Sequence, residues 1–453
     1  MAASSYDLVI VGAGSGNMLP TAELAGWRIA VIENDRFGGT CLNRGCIPSK
    51  MLVHTADVAR AVRHADQFGI TARWSGADWP AIRDRVFGRI DPLHDRAVEY
   101  RRANGIDVLL GEARFIAPKV IRVGDHEIRA ERFVLAVGSR PVIPPVGGLA
   151  EVPYLTSDTV MRMDALPDSM IVMGGGYIAA EMSHIFGSLG TKITIVTRGE
   201  HLLSRHDPDI RDQFTDLYRQ RFDVRLNAVP RHAAVAGRGI RLSYSTPAGI
   251  QSAEGEVLLL AVGRIPNSDR LNVGATGVEV DEHGHVRTDG SYATNVAGIW
   301  ALGDLANHFQ LKHMANAEAR LVRYNLLNPG QPRTARFPVV PSAVFADPQV
   351  ASAGATEPEL RRQGRRYVSA TVPYSDTAYG WALQDTTGFV KILADPSSRL
   401  LLGAHILGPQ AATLIQPLIQ AMCLGNTADQ VASGVLYIHP ALTEAVEQAL
   451  LKL

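Results

Sequence analysis

The sequence predicts an α/β protein with two dinucleotide-binding, Rossmann-like domains followed by a C-terminal α+β domain. Two short apolar strands each lead into a glycine-rich turn, one near residue 12 and one near residue 174. Such a turn between a strand and a helix allows the backbone to approach a phosphate closely. Two of these units about 160 residues apart make coincidence improbable. From about residue 336, strands and helices continue without a further turn of this kind.

The composition indicates a globular protein and excludes several function classes. The 453 residues are 46% hydrophobic, enough for two to four domains with real cores. A formal net charge of zero argues against nucleic acid or an anionic membrane as the main partner. No apolar run approaches the roughly 18 residues of a membrane span, and the Met1–Tyr6 start lacks signal-peptide features. We therefore expect a cytoplasmic protein.

The first unit begins with a buried strand over residues 6–11 and continues into a predicted helix over 18–26. The turn between them contains three glycines, Gly12, Gly14 and Gly16. They favour a pyrophosphate at the helix N-terminus. A second strand ends at Glu33, about 20 residues on, where a carboxylate holds a ribose hydroxyl.

The second unit follows strand 170–173 and repeats the turn with Gly174, Gly176 and Ala179. Its next strand, 192–196, is followed by Thr197 and Arg198, with Arg205 further along. An acidic residue in this region would hold a free ribose hydroxyl, whereas arginine suits a 2′-phosphate. We therefore expect NADPH to be preferred over NADH.

Two similar strand–glycine runs, 133–138 and 257–263, each precede an arginine and a proline and resemble equivalent exits between domains. Strand 298–304 ends in Asp304, either an ordinary turn residue or a ligand for a cofactor's polar chain. The α+β region contains predicted helices over 411–424 and 441–451. We place the domains at 1–148, 149–266, 267–335 (a return to the first domain) and 336–453.

The segment FGGTCLNRGCIPSK, residues 37–50, contains Cys41 and Cys46 with four residues between them. A straight helix would separate them by about 7.5 Å of rise, more than the ~4.4–6.8 Å between Cα atoms that a disulfide allows. Pairing would need a distorted backbone, to which Gly45 and Pro48 are suited. A redox pair, two inert thiols and half of a zinc site all stay open from spacing alone. Cys423, on an apolar helix, is predicted to be a buried inert thiol.

Near the C-terminus, His439–Pro440 is predicted to begin a helix, and Glu444 follows five residues after the histidine. Pro440 suits a first helical turn and Glu444 a helix-start carboxylate, which would leave His439 as a surface residue. A histidine oriented by a carboxylate is also an acid–base pair.

These motifs, in this order from Tyr6 to Leu451, resemble the disulfide oxidoreductases related to glutathione reductase and dihydrolipoamide dehydrogenase. The resemblance implies that Cys41 attacks a small-molecule disulfide and that Cys46 is a charge-transfer thiolate beside FAD. Lys50 and Glu181 would lie near the flavin N5, and Tyr177 would cover the flavin until the nicotinamide arrives. By this resemblance, FAD is contacted by the glycines of the first turn and by Glu33, Thr40 and Asp304. The nicotinamide nucleotide is contacted by Gly174, Gly176 and Ala179 of the second turn. The His439–Glu444 pair would act in the active site of a partner subunit, which implies a homodimer.

Within the family, stretches 14–17, 86–92, 156–163, 378–388 and 414–422 resemble the mycothione reductase subclass. Ala22 stands where glutathione reductase has a carboxylate-gripping arginine on its first helix. Tyr379, Trp381 and Gln384 are candidates for neutral substrate contacts. The alternatives are an NAD-dependent dihydrolipoamide dehydrogenase and a redox-sensing flavoprotein without turnover.

Overall fold

A computed structural model describes residues 4–453. Residues 1–3, which begin the Met1–Tyr6 stretch predicted to lack signal-peptide features, lie outside the described residues. The N-terminal part forms seven strands: β1 (Ser4–Val11), β2 (Ile29–Glu33), β3 (Asp107–Leu110), β4 (Ala113–Ala117), β5 (Val120–Val123), β6 (His126–Leu135) and β7 (Ser139–Pro141). Its helices are α1 (Gly39–Arg44), α2 (Cys46–Arg63), α3 (Trp79–Ile90) and α4 (Pro92–Ala103).

The next part contains β8 (Tyr154–Thr156), β9 (Ser169–Met173), β10 (Lys192–Val196), β11 (Asp223–Arg225), β12 (Val229–Ala236), β13 (Gly239–Thr246), β14 (Gly249–Gly255), β15 (Val257–Leu260) and β16 (Arg264–Pro266). Its helices are α5 (Tyr177–Leu189) and α6 (Pro208–Arg221). The chain then returns through α7 (Ser268–Leu271), β17 (Ile299–Ala301) and α8 (Lys312–Leu327).

The C-terminal part contains β18 (Ser342–Val344), β19 (Val350–Gly354), β20 (Val368–Pro373), β21 (Phe389–Ala394) and β22 (Leu401–Leu407). Its helices are α9 (Glu357–Arg362), α10 (Ala378–Leu383), α11 (Ala411–Leu414), α12 (Gln416–Leu424), α13 (Ala428–Ser433) and α14 (Thr443–Leu451).

Both predicted units have parallel sheets at their centres. The first sheet has the order β3-β2-β1-β6-β5-β4, with β17 paired in parallel to β6. The second has the order β11-β10-β9-β15-β8. In both sheets, the strand that leads into the glycine turn has a neighbouring strand on each side, and its apolar side chains are buried on both faces. This explains the uninterrupted apolar runs in the sequence. The predicted α/β class with a C-terminal α+β region is confirmed.

The two segments that are predicted to carry the chain between domains pair with each other. β7 and β16 form a two-stranded antiparallel ribbon in which Arg264 opposes Pro141. Proline cannot donate to a sheet ladder, so this short, two-stranded ribbon can tolerate two of them. The boundaries at 148, 266 and 335 stay a prediction.

The helix predicted over 18–26 is wrong. This stretch contains only two 3-10 turns, Gly16–Met18 and Ala22–Leu24, separated by an extended Thr21. Pro20 has no amide hydrogen to donate to a helix. Ala22 begins the second of these 3-10 turns, and its correspondence to an arginine of glutathione reductase stays a prediction.

The C-terminal sheet has the order β18-β19-β22-β21-β20, and α11, α12 and α14 pack against it. The predicted helix over 441–451 begins only at Thr443, so Pro440 precedes it. Cys423 lies on α12 but is exposed, and the prediction that it is buried is wrong. The apolar residues of α12 that reach the core are Leu418, Ile419 and Ala421, which leaves Cys423 on the outer side. No helix within residues 4–453 has the length and apolarity to cross a membrane.

Candidate active site

A cavity of about 1690 Å³ brings together most of the residues predicted from the sequence. Its lining includes Gly12, Gly14, Glu33, Thr40, Cys41, Cys46, Lys50, Tyr177, Glu181, Arg205 and Asp304. The lining does not include Gly16, Gly174, Gly176, Ala179, Arg198, His439 and Glu444. The predicted substrate contacts Tyr379, Trp381 and Gln384 also lie outside it. Gln384 instead donates through Nε2 to the Gln67 carbonyl at 3.0 Å.

A backbone break at Gly45 places the two cysteines next to each other. Cys41 lies in α1 and Cys46 is the first residue of α2, so no single helix contains both. Gly45 has φ −139° and ψ −120°, and a Cβ there would lie 2.9 Å from the Thr40 carbonyl oxygen. The distortion that pairing required is therefore present at the predicted glycine. The two sulfurs lie within hydrogen-bonding distance of each other.

The two thiols have unlike protonation. A hydrogen bond from Cys41, with help from the Lys50 ammonium, lowers the pKa of Cys46 to about 7. The same hydrogen bond, burial and the charge on Cys46 raise the pKa of Cys41 well above its ordinary value. The position of Cys46 at the N-terminus of the 18-residue α2 also favours its thiolate. Above pH 7 the thiolate form of Cys46 therefore predominates, while Cys41 keeps its proton.

An ion pair joins the cysteine helix to the helix of the second glycine turn. Lys50 Nζ donates to Glu181 Oε2 at 2.6 Å, and Glu181 Oε1 accepts from the Phe345 amide at 3.0 Å. Glu181 is buried, and Lys50 is half-buried with its ammonium 4.7 Å from the Phe345 ring centroid. Both carboxylate oxygens are thus fixed, which holds the Lys50 charge in the cavity beside Cys46.

The backbone at the first glycine turn fits a dinucleotide. Gly12 has φ +103°, and a Cβ there would lie 2.4 Å from the Ala136 carbonyl oxygen. Only glycine tolerates that conformation with so close an approach. The buried Glu33 follows the turn, and its Oε2 accepts from the Ala13 amide at 2.8 Å. Burial raises the pKa of this carboxyl. Glu33 therefore braces the turn as well as lining the cavity.

Two further groups reach the same turn region. Asp304 follows β17, and its Oδ2 accepts from the Ser139 hydroxyl at 2.7 Å. Lys312, the first residue of α8, donates from Nζ to Ser15 Oγ at 3.0 Å. Sequence reasoning missed Lys312 because it belongs to no turn motif and is distant in the chain. Among the residues that the structure describes, no α-helix follows the first turn directly, and the N-terminal residues of α1 and α8 are among those that line the cavity.

The second glycine turn leads directly into α5, as predicted. Gly174 has φ +137°, and a Cβ there would lie 2.2 Å from the Ala261 carbonyl oxygen. Tyr177 begins α5 and is 43% exposed into the cavity, where it can cover a ligand. Arg198 and Arg205 are both exposed after β10. Neither guanidinium has a carboxylate partner within residues 4–453, so both charges are available to an anion.

The His439–Glu444 pair is formed but lies apart from the cysteines of its own chain. His439 Nδ1 is 2.8 Å from Glu444 Oε1, and Glu444 Oε2 accepts from the Ala441 amide at 3.3 Å. The hydrogen bond from His439 lowers the pKa of Glu444. The His439 side chain is 73% exposed. It follows a segment whose apolar side chains face solvent, with Leu436 99% and Ile438 75% exposed.

Within residues 4–453, no group of three or more histidine, cysteine or acidic side chains is arranged to hold a metal ion. The cysteine pair therefore has no further protein ligands in the part of the chain that the structure describes.

Comparison with known proteins gives matches over nearly the whole chain. The model of the pyridine nucleotide-disulphide oxidoreductases matches residues 6–319, and that of their dimerisation domain matches residues 340–450. Mycothione reductase of Mycobacterium tuberculosis is 42% identical, with 99% of each chain covered. Dihydrolipoyl dehydrogenase of Halobacterium salinarum is 33% identical, with 98% of this chain and 95% of that protein covered. The HOCl-induced flavoprotein disulfide reductase RclA of Escherichia coli superposes with a TM-score of 0.88 at 28% identity, with 99% of each chain covered.

Proposed function

Since the chain belongs to the pyridine nucleotide-disulphide oxidoreductase family, enzymes that use FAD and NAD(P)H, we propose that it reduces mycothione with NADPH. Mycothione, the disulfide of mycothiol, would be converted to two thiols. The observation that carries the chemistry is the Cys41–Cys46 pair, which the backbone break at Gly45 brings together in the cavity beside the Lys50 ammonium. The substrate is supported by the 42% identity to mycothione reductase over 99% of both chains.

The residues at the first turn would hold FAD, which when bound transfers the electrons of the nicotinamide to the Cys41–Cys46 disulfide. The backbone of the glycine turn would receive the diphosphate, and Glu33 and Asp304 the polar parts of the cofactor. Lys50, held by Glu181, would stabilise negative charge beside Cys46. Tyr177, at the start of α5, would move aside when the nicotinamide binds.

Cys41 would act on the substrate. Because its proton is held by the bond to Cys46, a base must remove it before Cys41 can attack a disulfide. The attack forms a mixed disulfide and releases one thiolate, which needs a proton. Cys46 then attacks Cys41 Sγ, releases the second thiol and closes the Cys41–Cys46 disulfide. The acid–base group would be His439 of the partner subunit, since the chain contains the family's dimerisation domain.

Steady-state assays with NADPH and a panel of disulfides test the function. We expect kcat/KM for mycothione to exceed that for glutathione disulfide and for lipoamide. Mycothiol presents sugar and inositol hydroxyls where glutathione presents carboxylates, and a missing polar or charged contact usually costs a few kcal/mol. A kcat/KM for glutathione disulfide or lipoamide equal to that for mycothione would refute the substrate. Absence of turnover with every disulfide would favour the redox-sensing alternative.

Two-electron reduction should give a long-wavelength charge-transfer band that depends on the Cys46 thiolate. A group with a lowered pKa is charged above that pKa, so the band should be full at pH 8.5 and fade as pH falls. With the pKa of Cys46 at about 7, half of the intensity should be lost near pH 7. The measurement is a spectrophotometric pH titration of the reduced enzyme. Cys46→Ser should lack the band, and a band that survived this substitution would mean that the two sulfurs are wrongly assigned.

NADPH should be preferred over NADH through Arg198 and Arg205. Both guanidiniums are exposed and free of carboxylate partners within residues 4–453, and charge-assisted bonds to a 2′-phosphate are strong. Arg198→Ala should lower kcat/KM for NADPH by about tenfold, close to the loss of one such bond, and leave NADH nearly unchanged. Steady-state kinetics with both nucleotides measure this. Equal kcat/KM for NADPH and NADH in the wild type would refute the preference.

A further inference from the structure

A buried ionic cluster, which the proposed mechanism does not use, joins the C-terminal sheet to the second glycine-turn unit. Lys391 in β21 is 3% exposed in its side chain. Its ammonium lies 2.8 Å from Asp207 Oδ1, 2.7 Å from Asp209 Oδ2 and 3.2 Å from Glu357 Oε1. Although burial opposes the charge, the hydrogen bonds to Asp207 and Asp209 raise the pKa of Lys391. The ammonium therefore stays charged and has three carboxylate partners.

Asp207 is the residue through which this cluster reaches the nucleotide unit. It is fully buried and is the N-cap of α6, where its Oδ1 accepts from the Asp209 amide at 3.3 Å. Its Oδ2 accepts from the Glu357 amide at 3.0 Å. The C-terminal part thus holds Asp207 through both a side chain and a backbone amide. Asp207 lies two residues after Arg205, one of the two arginines proposed for the 2′-phosphate.

The other end of the same loop is fixed to the glycine turn. The Leu203 amide donates to the Gly175 carbonyl at 2.7 Å. Leu203 has φ +50°, a conformation that a residue with a branched side chain adopts only where its surroundings impose it. Between these ends, His206 Nδ1 lies 3.0 Å from Ser352 Oγ in β19. The segment 202–207 is thus held on both sides, and within it Arg205 lines the cavity and has no carboxylate partner among residues 4–453.

We infer that Lys391 is a positioning residue for nucleotide selectivity, which holds segment 202–207 so that Arg205 meets the 2′-phosphate of NADPH. The inference rests on the proposed use of NADPH. Arg205 has a flexible side chain on a loop, and a loop displaced by an ångström would cost it a bidentate bond. NADH has no 2′-phosphate, so its binding does not depend on the position of Arg205. The cluster therefore affects one nucleotide and not the other.

Stopped-flow reduction of the FAD-loaded enzyme, without any disulfide substrate, tests this. Lys391→Gln should raise the apparent Kd for NADPH about tenfold and leave that for NADH within about twofold. The limiting rate of flavin reduction should stay within about twofold of the wild type, because the nicotinamide end is not affected. On an Arg205→Ala background, Lys391→Gln should add little, since both changes remove the same contact. Lys192→Gln is the matched control, a lysine of β10 that is exposed and forms no ion pair within residues 4–453.

Because Lys391→Gln leaves the buried Asp207 carboxylate without its ammonium partner, Asp209→Asn is the second variant. Asp209 is 53% exposed, so its loss weakens the hold on Lys391 without an unpaired buried charge. It should shift the NADPH Kd in the same direction by about threefold.

The outcomes separate this inference from the proposed function. An equal rise in Kd for both nucleotides, or full additivity with Arg205→Ala, would mean that the cluster is only structural. Selectivity lost in Arg205→Ala but kept in both cluster variants would refute the role of Lys391 alone. A wild-type enzyme without preference for NADPH would refute the nucleotide part of the proposed function and this inference with it.

Discussion

His439→Ala should slow the release of thiol product by roughly 10²–10⁴-fold, the usual worth of a positioned acid–base group. The thiolate released from the substrate needs a proton, and His439 would supply the proton that it took from Cys41 as a base. His439 is held by Glu444 at 2.8 Å, which fixes its ring and leaves Nε2 directed away from the carboxylate. Flavin reduction by NADPH should be nearly unchanged. Rapid-mixing measurements of the two half-reactions check both statements, and equal slowing of both would indicate a structural role.

The same variant decides whether the histidine acts across the dimer. His439 is exposed and lies outside the cavity that its own chain's cysteines line, next to the exposed Leu436 and Ile438. A mixture of Cys41→Ser and His439→Ala subunits should regain activity, although each homodimer is inactive. Random pairing makes about half of the dimers hybrids with one intact site of two, so about a quarter of the activity should return. No recovery after verified exchange of subunits would place the acid–base group within one chain.

The sequence predicted the site better where chemistry depends on a local motif than where it depends on contacts between distant segments. The distortion between Cys41 and Cys46 was predicted from spacing and from Gly45, and the structure confirms the break at that residue. The ion pair of Lys50 with Glu181 was predicted only from resemblance, because 131 positions separate the two residues. Lys391 and Asp207, 184 positions apart, carried no signal in the sequence.

The helical spacing of apolar residues gave a wrong prediction in the stretch that follows the first glycine turn. The stretch 18–26 has helical spacing and follows a glycine turn, but Pro20 and the extended Thr21 leave only 3-10 turns. The three-stranded meander β12–β14 and the strand β19 were also missed, since they lack the uninterrupted run of large apolar residues that marks a buried parallel strand. Cys423 was assigned to the core because α12 is apolar, yet the exposed end of the helix, Leu424 included, faces away from the core.

Cys41→Ser should reduce disulfide turnover by roughly 10⁴-fold or more, because it removes the nucleophile and no neighbouring group can replace a thiolate. Cys423 is the other thiol outside the pair, and it is exposed on α12 away from the cavity lining. Cys46 remains in this variant, but an attack by Cys46 on a substrate disulfide would not be productive. Without the Cys41 sulfur, Cys46 cannot form the disulfide that completes the cycle. Steady-state turnover with mycothione and NADPH measures the loss.

The controls for this variant distinguish lost chemistry from lost structure. Cys41→Ser should still bind FAD and pass electrons from NADPH to a quinone, since neither step needs the disulfide. Cys423→Ser, a substitution of the same type on an exposed thiol, should keep wild-type turnover with the disulfide. Because a hydroxyl can still donate to Cys46, its pKa should stay low and its thiolate should still react with iodoacetamide at pH 8. Disulfide turnover that survived in Cys41→Ser, or that fell as far in Cys423→Ser, would show that the Cys41–Cys46 pair is not the redox centre.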